Sequence, residues 1–96
     1  MASEYKTTVT PEAEREIDKL PDAARKDAIE RIAELRDIPI PEDALLLDFH
    51  DQIYRIYVYK SRYRLIYRVA GKKQRVVVLR VRPRKTAYKG MRGPEG

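Results

Sequence analysis

Residues 54–68 read Tyr54-Arg55-Ile56-Tyr57-Val58-Tyr59-Lys60-Ser61-Arg62-Tyr63-Arg64-Leu65-Ile66-Tyr67-Arg68. Apolar and polar side chains alternate through most of this stretch, the period-two pattern of strands buried on one side only. The Lys60-Ser61-Arg62 break predicts a tight turn between two such strands. Ten of the fifteen residues are Tyr, Arg or Lys and none is acidic. One face of the hairpin can therefore join a core while the other carries guanidinium groups and phenols. Guanidinium forks match phosphate oxygens and phenol rings stack on bases, so function is sought on that face.

Outward from the hairpin the pattern continues. Gly71-Lys72-Lys73 predicts a second turn, giving a meander of strands over 53–60, 62–70 and 75–82. Upstream, Tyr5 to Val9 reads as a first strand. Thr10 is an N-cap and Pro11 suits the first helical position, with Glu12, Glu14 and Glu16 favouring the positive end of the helix dipole. Ala13, Ile17 and Leu20 fall on one face of that helix. Pro21 ends it, and Asp22 caps a second helix running to about Asp37 with a stripe of Ala24, Ala28, Ile29, Ile32 and Leu35. Ile38-Pro39-Ile40-Pro41 opens an extended connector, with Leu45, Leu46, Leu47 and Phe49 tucked against the core. The expected fold is α+β: a β-α-α-β-β-β two-layer domain whose antiparallel-dominated sheet carries a helical hairpin on one face. By alternation, Ile56, Val58, Leu65, Val69, Val77, Leu79 and Val81 face the helices. Arg55, Tyr57, Tyr59, Arg62, Arg64, Arg68, Arg80, Arg82 and Arg84 share the uncovered face. Like charges on neighbouring strands repel, so such a face is better explained by binding than by stability.

Ninety-six residues with 43% apolar side chains make one domain with a modest core, spanning residues 1–96 with 89–96 as a flexible tail. No cysteine is present, which excludes disulfides and thiol catalysis; a reducing cytoplasm is the expected compartment. The longest aliphatic runs, Ala44–Leu47 and Val76–Leu79, are too short to span a membrane, and the opening residues lack the apolar segment of a signal peptide. Charge divides sharply. Residues 1–50 carry seven Lys/Arg against thirteen Asp/Glu, a balance of −6, whereas residues 51–96 carry fourteen against two, a balance of +12. That asymmetry points to a polyanionic partner.

Conventional catalytic sets are missing. His50 stands alone and reads as an ordinary surface residue; Ser3 and Ser61 have no evident base. The basic half offers only Asp51 and Glu95, so paired-carboxylate and metal-dependent chemistry are not expected, and neither a metal nor a cofactor is implied. What remains is metal-free chemistry from Arg, Lys and Tyr. RNA cleavage by its own 2′-hydroxyl needs an in-line geometry, a counter-charge for the phosphorane and a proton carrier. Arginine supplies the charge but stays protonated, so the proton work falls to Tyr or Lys.

At these residues the chain resembles the RelE/ParE toxin superfamily of toxin–antitoxin systems. The resemblance covers nearly the whole domain. It rests on Lys19-Leu20-Pro21 in the helical hairpin, Tyr54-Arg55-Ile56, Tyr63-Arg64-Leu65-Ile66-Tyr67, and Arg84-Lys85 with Tyr88. It implies a RelE-like, ribosome-dependent mRNA endoribonuclease, restrained by a cognate antitoxin that alone contacts operator DNA. It also implies site residues. Arg64, Arg84 and Tyr88 are the catalytic candidates: a phosphate ligand, a stabiliser of the leaving side, and an orienting or activating group for the 2′-hydroxyl. Arg55, Tyr57, Tyr59, Lys60, Arg62, Arg82 and Lys85 are the candidate RNA contacts, and Tyr63 and Tyr67 are mainly structural.

Three departures bear on the chemistry. Tyr57 stands where the RelE branch has a second functional lysine, Pro83 stands where many relatives have histidine, and the Glu/His pair of the YoeB branch is missing. The general base is left among Tyr88, Lys60 and Lys85. The alternative is a ParE-like inhibitor of DNA gyrase that shares the fold without nuclease activity.

Overall fold

Local signals place the elements of the computed structural model, which describes residues 4–91. Strand β1 (Lys6–Val9) ends at Thr10, whose Oγ1 accepts from the Ala13 N–H at 3.1 Å and starts helix α1 (Pro11–Asp18). Pro21 breaks the chain, and helix α2 (Asp22–Glu34) follows. Asp22 is its first residue rather than its cap; the carboxylate reaches forward to Arg25 at 2.6 Å. Strands β2 (Leu45–Asp48), β3 (Ile53–Val58), β4 (Tyr63–Ala70) and β5 (Arg75–Pro83) complete one sheet in the order β1-β5-β4-β3-β2. Only β1, paired with β5, runs parallel to its neighbour. The α+β architecture is as expected, with one more strand. No helix among the described residues is long and apolar enough to cross a membrane.

Residues 45–48 are that added strand, and they correct the expected connector. Leu45, Leu46 and Phe49 are exposed, not tucked inward. As the sheet's edge, β2 pairs only with β3, beyond the cover of the helices. Ile29 is likewise exposed at 55%, leaving Ala24, Ala28 and Leu35 as the fully buried face of α2 and the turn that closes it.

The core lies between helices and sheet. Ile56 and Val58 from β3, and Leu65, Tyr67 and Val69 from β4, face Ala13, Ile17, Leu20, Ala24 and Ala28. The β5 contribution differs from the expected one: Val76 and Val78 are buried with Val81, whereas Val77 and Leu79 are not. The cause is a bulge. Ile66 pairs with Arg80 but Tyr67 with Val78, leaving Leu79 as an extra residue, so the alternation reverses on crossing it.

Tyr67 shows why the hairpin signature is partly structural. Its ring stacks on Tyr54 with centroids 5.8 Å apart, and its hydroxyl donates to the Pro39 carbonyl at 2.7 Å, fixing the connector to the sheet. Burial first, then the charges of Asp43 and Tyr54, push that hydroxyl far above the usual phenol range.

Candidate functional site

Strand pairing aligns the side chains opposite the helices in rows. Tyr57, Arg64 and Arg82 form one row; Arg55, Ile66 and Arg80 form the next. The first row meets the second at Tyr57, whose ring centroid lies 4.3 Å from the Arg55 guanidinium carbon and 4.5 Å from that of Arg64. Two guanidinium groups converging on one phenol ring offset their repulsion through the ring's quadrupole.

The two arginines differ in their free donors. Arg64 spends one nitrogen on the Ser61 carbonyl at 2.9 Å, leaving the rest of its fork for a ligand. Arg55 donates to the Asp43 carbonyl at 3.1 Å, and its Nε is buried without a partner among the described residues. Asp43 is itself a junction. Its carboxylate takes Arg31 of α2 at 2.8 Å and the Tyr57 N–H at 3.2 Å, so α2, the connector and β3 meet there. Burial pushes the Asp43 carboxyl up, but the Arg31 hydrogen bond, the Tyr57 N–H and the Arg31 charge outweigh it and hold it below the usual aspartate range.

Three of the candidate RNA contacts, Tyr59, Lys60 and Arg82, have side chains directed elsewhere. Strand β3 stops at Val58 because Tyr59, Lys60 and Ser61 all take positive φ (46°, 54° and 64°). That left-handed turn carries Tyr59 to the helix side, where its N–H donates to Asp27 of α2 at 2.6 Å and its ring packs on the core. Lys60 follows, its ammonium 5.4 Å from the Tyr59 ring, in a groove shared with Ala23, Lys26 and Glu30. Arg82 keeps its place in the row, but its side chain bends around the β5 edge to Glu16 and Glu12 of α1, each at 2.6 Å. The hydrogen bond that Arg82 donates to Glu16 leads in raising its already high pKa, against the opposing effect of burial. Glu16 also accepts from the Val81 N–H at 2.9 Å, capping the edge that β1 leaves open beyond Val9.

The face is also less open than the alternation implies. The chain after β5 turns back across it, with Arg80 donating from one nitrogen to the carbonyls of Ala87 (3.0 Å) and Lys89 (2.7 Å). Ile66 and Ala87 are fully buried in consequence, and Ile53, Ile66, Leu79, Arg80 and Met91 line a shared hollow. Arg84, Lys85 and Tyr88 are exposed along this returning segment. Its start is fixed next to the hairpin turn, because the Arg84 N–H donates to the Arg62 carbonyl at 3.1 Å. Since residue 84 bonds toward β4, the nitrogen of Pro83 faces the open edge, where a missing N–H costs no ladder bond.

Arg55, Tyr57 and Arg64 are thus brought together, Arg62 and Arg84 are joined by their backbones, and Lys85 and Tyr88 follow on the returning segment. Arg80, Arg31, Asp43, Glu12 and Glu16 shape the site without having been singled out for it. Arg80 left a trace in sequence through its alternation onto the uncovered face, and Glu12 and Glu16 as an i, i+4 acidic pair on α1. His50 is exposed, and no metal-ligating cluster occurs among the described residues. Ser3, Glu95 and the tail beyond residue 91 lie outside the described residues.

Comparison with known proteins agrees with this fold. Residues 8–88 match the family described as the ParE toxin of the type II toxin–antitoxin system parDE. Among solved structures, the fold is similar to the archaeal RelE in its RelE–RelB complex from Pyrococcus horikoshii (TM-score 0.72, 25% identity, 83% of this chain and 94% of that one). It is similar to the isolated Escherichia coli RelE toxin (TM-score 0.70, 29% identity, 82% and 83%). A third relative comes from the Mycobacterium tuberculosis toxin–antitoxin complex RelBE2 (TM-score 0.69, 26% identity, 84% and 99%). A sequence search of curated proteins gives no significant match. The chain belongs to the RelE/ParE superfamily and is a toxin of the type II toxin–antitoxin class.

Proposed function

We propose that this toxin is a RelE-like, metal-independent endoribonuclease that cuts ribosome-bound mRNA by attack of the substrate's own 2′-hydroxyl. The observation that carries the reading is the convergence of Arg55 and Arg64 on Tyr57, with Arg84 and Tyr88 exposed on the segment bonded to the same hairpin. In the reaction, the 2′-oxygen loses its proton as its bond to phosphorus forms. The bond to the 5′-oxygen breaks and that oxygen takes up a proton, leaving a 2′,3′-cyclic phosphate and a 5′-hydroxyl. Arg64 is the phosphate ligand, with most of its fork free. Among the described residues Arg55 has Nη2 unengaged beside a buried, unpartnered Nε, and chiefly holds Tyr57. Arg84 supplies counter-charge on the leaving side, where guanidinium stabilises without having to give up a proton. Tyr88 orients or activates the 2′-hydroxyl, with Lys85 beside it. Lys60, drawn to α2, drops out as a base; Arg82 contributes to RNA binding only after release from its two glutamates.

The partner that restrains the toxin is a cognate antitoxin, as in the RelE–RelB complex of the archaeal relative. An acidic antitoxin segment complements the Arg/Tyr face, and the complex contacts operator DNA through the antitoxin. A second reading is favoured by the family match itself, which is to ParE toxins, and by Tyr57 standing where a second lysine serves the RelE branch. On that reading the target is DNA gyrase. Purified toxin added to a translating extract, with mRNA 5′ ends mapped, is run beside a gyrase supercoiling assay. The nuclease reading requires new 5′-hydroxyl ends within ribosome-covered mRNA and undisturbed supercoiling. Intact mRNA with blocked supercoiling reverses the assignment.

A further inference from the structure

We infer that Arg80 is a positioning residue: it fixes Tyr88 over the sheet by gripping the backbone on both sides of it. The functional half of this inference rests on the role proposed above for Tyr88. The bulge at Leu79 places Arg80 opposite Ile66, on the face away from the helices. There Arg80 does not offer a free guanidinium to solvent. Its Nη1 donates to the carbonyls of Ala87 at 3.0 Å and Lys89 at 2.7 Å, the residues immediately before and after Tyr88.

The returning segment has little else to hold it. Its internal hydrogen bonds are single turns, from the N–H of Thr86 to Pro83, of Lys89 to Thr86 and of Met91 to Tyr88. Isolated turns of this kind do not hold their shape in water without tertiary contacts. Apolar anchoring comes from Ala87, fully buried, and from Met91 in the hollow over Ile66. Gly90, at φ +79°, lets the chain turn close by; a Cβ there would lie 3.9 Å from Arg80 Nη2. Tyr88 itself remains 40% exposed, so its backbone is clamped while its ring faces outward. A charged donor serving two carbonyls is the strongest polar tie the segment has.

The test uses Arg80→Met, Arg80→Lys, Tyr88→Phe and the Arg80→Met/Tyr88→Phe double variant in the full chain. Amide hydrogen exchange is read first. Arg80→Met should speed exchange of residues 86–91 by about tenfold or more while amides of β4 keep their protection. Arg80→Lys, whose ammonium can still donate to both carbonyls, should recover most of that protection. Single-turnover cleavage of a 5′-labelled mRNA on programmed ribosomes is read second. Arg80→Met should lower the maximal rate about as far as Tyr88→Phe does, with half-saturation unchanged, and the double variant should fall no further. Unchanged exchange in both Arg80 variants, or losses that multiply in the double variant, overturns the inference. If the wild-type chain leaves mRNA intact, the nuclease reading fails alone, and the exchange data still judge the clamp. Should Arg80→Met not fold, Arg80→Gln, which stays polar but is too short to reach both carbonyls, takes its place in both readouts with the same outcomes deciding.

Discussion

Within Tyr63-Arg64-Leu65-Ile66-Tyr67, adjacent residues do unlike work. Leu65 and Tyr67 are core, Tyr63 packs against it, Ile66 is buried on the opposite side beneath the returning segment, and Arg64 keeps most of its donor fork free on the outer face. A motif combining charge with packing cannot be resolved into roles by spacing, because tyrosine suits a base stack and a buried hydrogen bond equally. Substitution separates them. Tyr67→Phe removes the bond to Pro39 and should cost about 1–2 kcal/mol of stability while leaving activity intact. Urea denaturation paired with the cleavage assay checks both halves. Arg64→Ala and Arg84→Ala should each lose about 2–4 kcal/mol of transition-state stabilisation if they clamp the developing charge. Arg62→Ala, at the turn, should lose less, and kcat/KM across the three gives the comparison. Equal losses would mark a diffuse electrostatic surface instead of a site.

Among the elements, α1 and the three meander strands were legible because cap, proline and alternation agree within each. The β5 register was not. Val76-Val77-Val78-Leu79 is apolar at every position, so either alternation fits until the bulge chooses, and the choice moved Val77 and Leu79 out of the core. Strand β2 was missed for a related reason: Leu45 and Leu46 read as buried, but an edge strand outside the helical layer leaves them exposed. The turn after β3 hid best of all. Tyr59, Lys60 and Ser61 hold left-handed conformations that sequence would assign to Gly or Asn, maintained by the Asp27 bond and the Arg62-to-Tyr59 closure at 3.0 Å. That conformation disfavours a side chain by roughly 1–2 kcal/mol per residue. Ser61→Gly should therefore stabilise the chain by about 0.5 kcal/mol after allowing for the larger unfolded-state entropy of glycine. Thermal unfolding of the variant shows the sign: a lower midpoint would mean that the turn is not strained.

At the scale of the whole molecule, the division between an acidic first half and a basic second half is resolved by packing one on the other. Glu12 and Glu16 of α1 neutralise Arg82 and close the β5 edge; Asp27 of α2 ends β3; Asp43 ties Arg31 to the Tyr57 backbone. The acids are spent on the helix side and the sheet edges. Arg64 and Arg84 keep the positive charge of the outer face, as the nuclease reading requires. Asp43 is where this division bears on global stability, since three parts of the chain meet at one carboxylate. Its folded pKa lies below that of a free aspartate, so its contribution is complete above about pH 4, the unfolded value, and disappears as pH falls through the lower folded one. Asp43→Asn should cost about 1–3 kcal/mol near neutrality, because Arg31 then loses its nearer counter-charge in a partly buried place and keeps only Glu34 at 3.8 Å. The gap between wild type and variant should narrow steadily below pH 4. Urea titrations of both chains at pH 7, 4 and 3 measure it; a gap that stays constant to pH 3 would mean that the Asp43 charge does not hold the helical layer to the sheet.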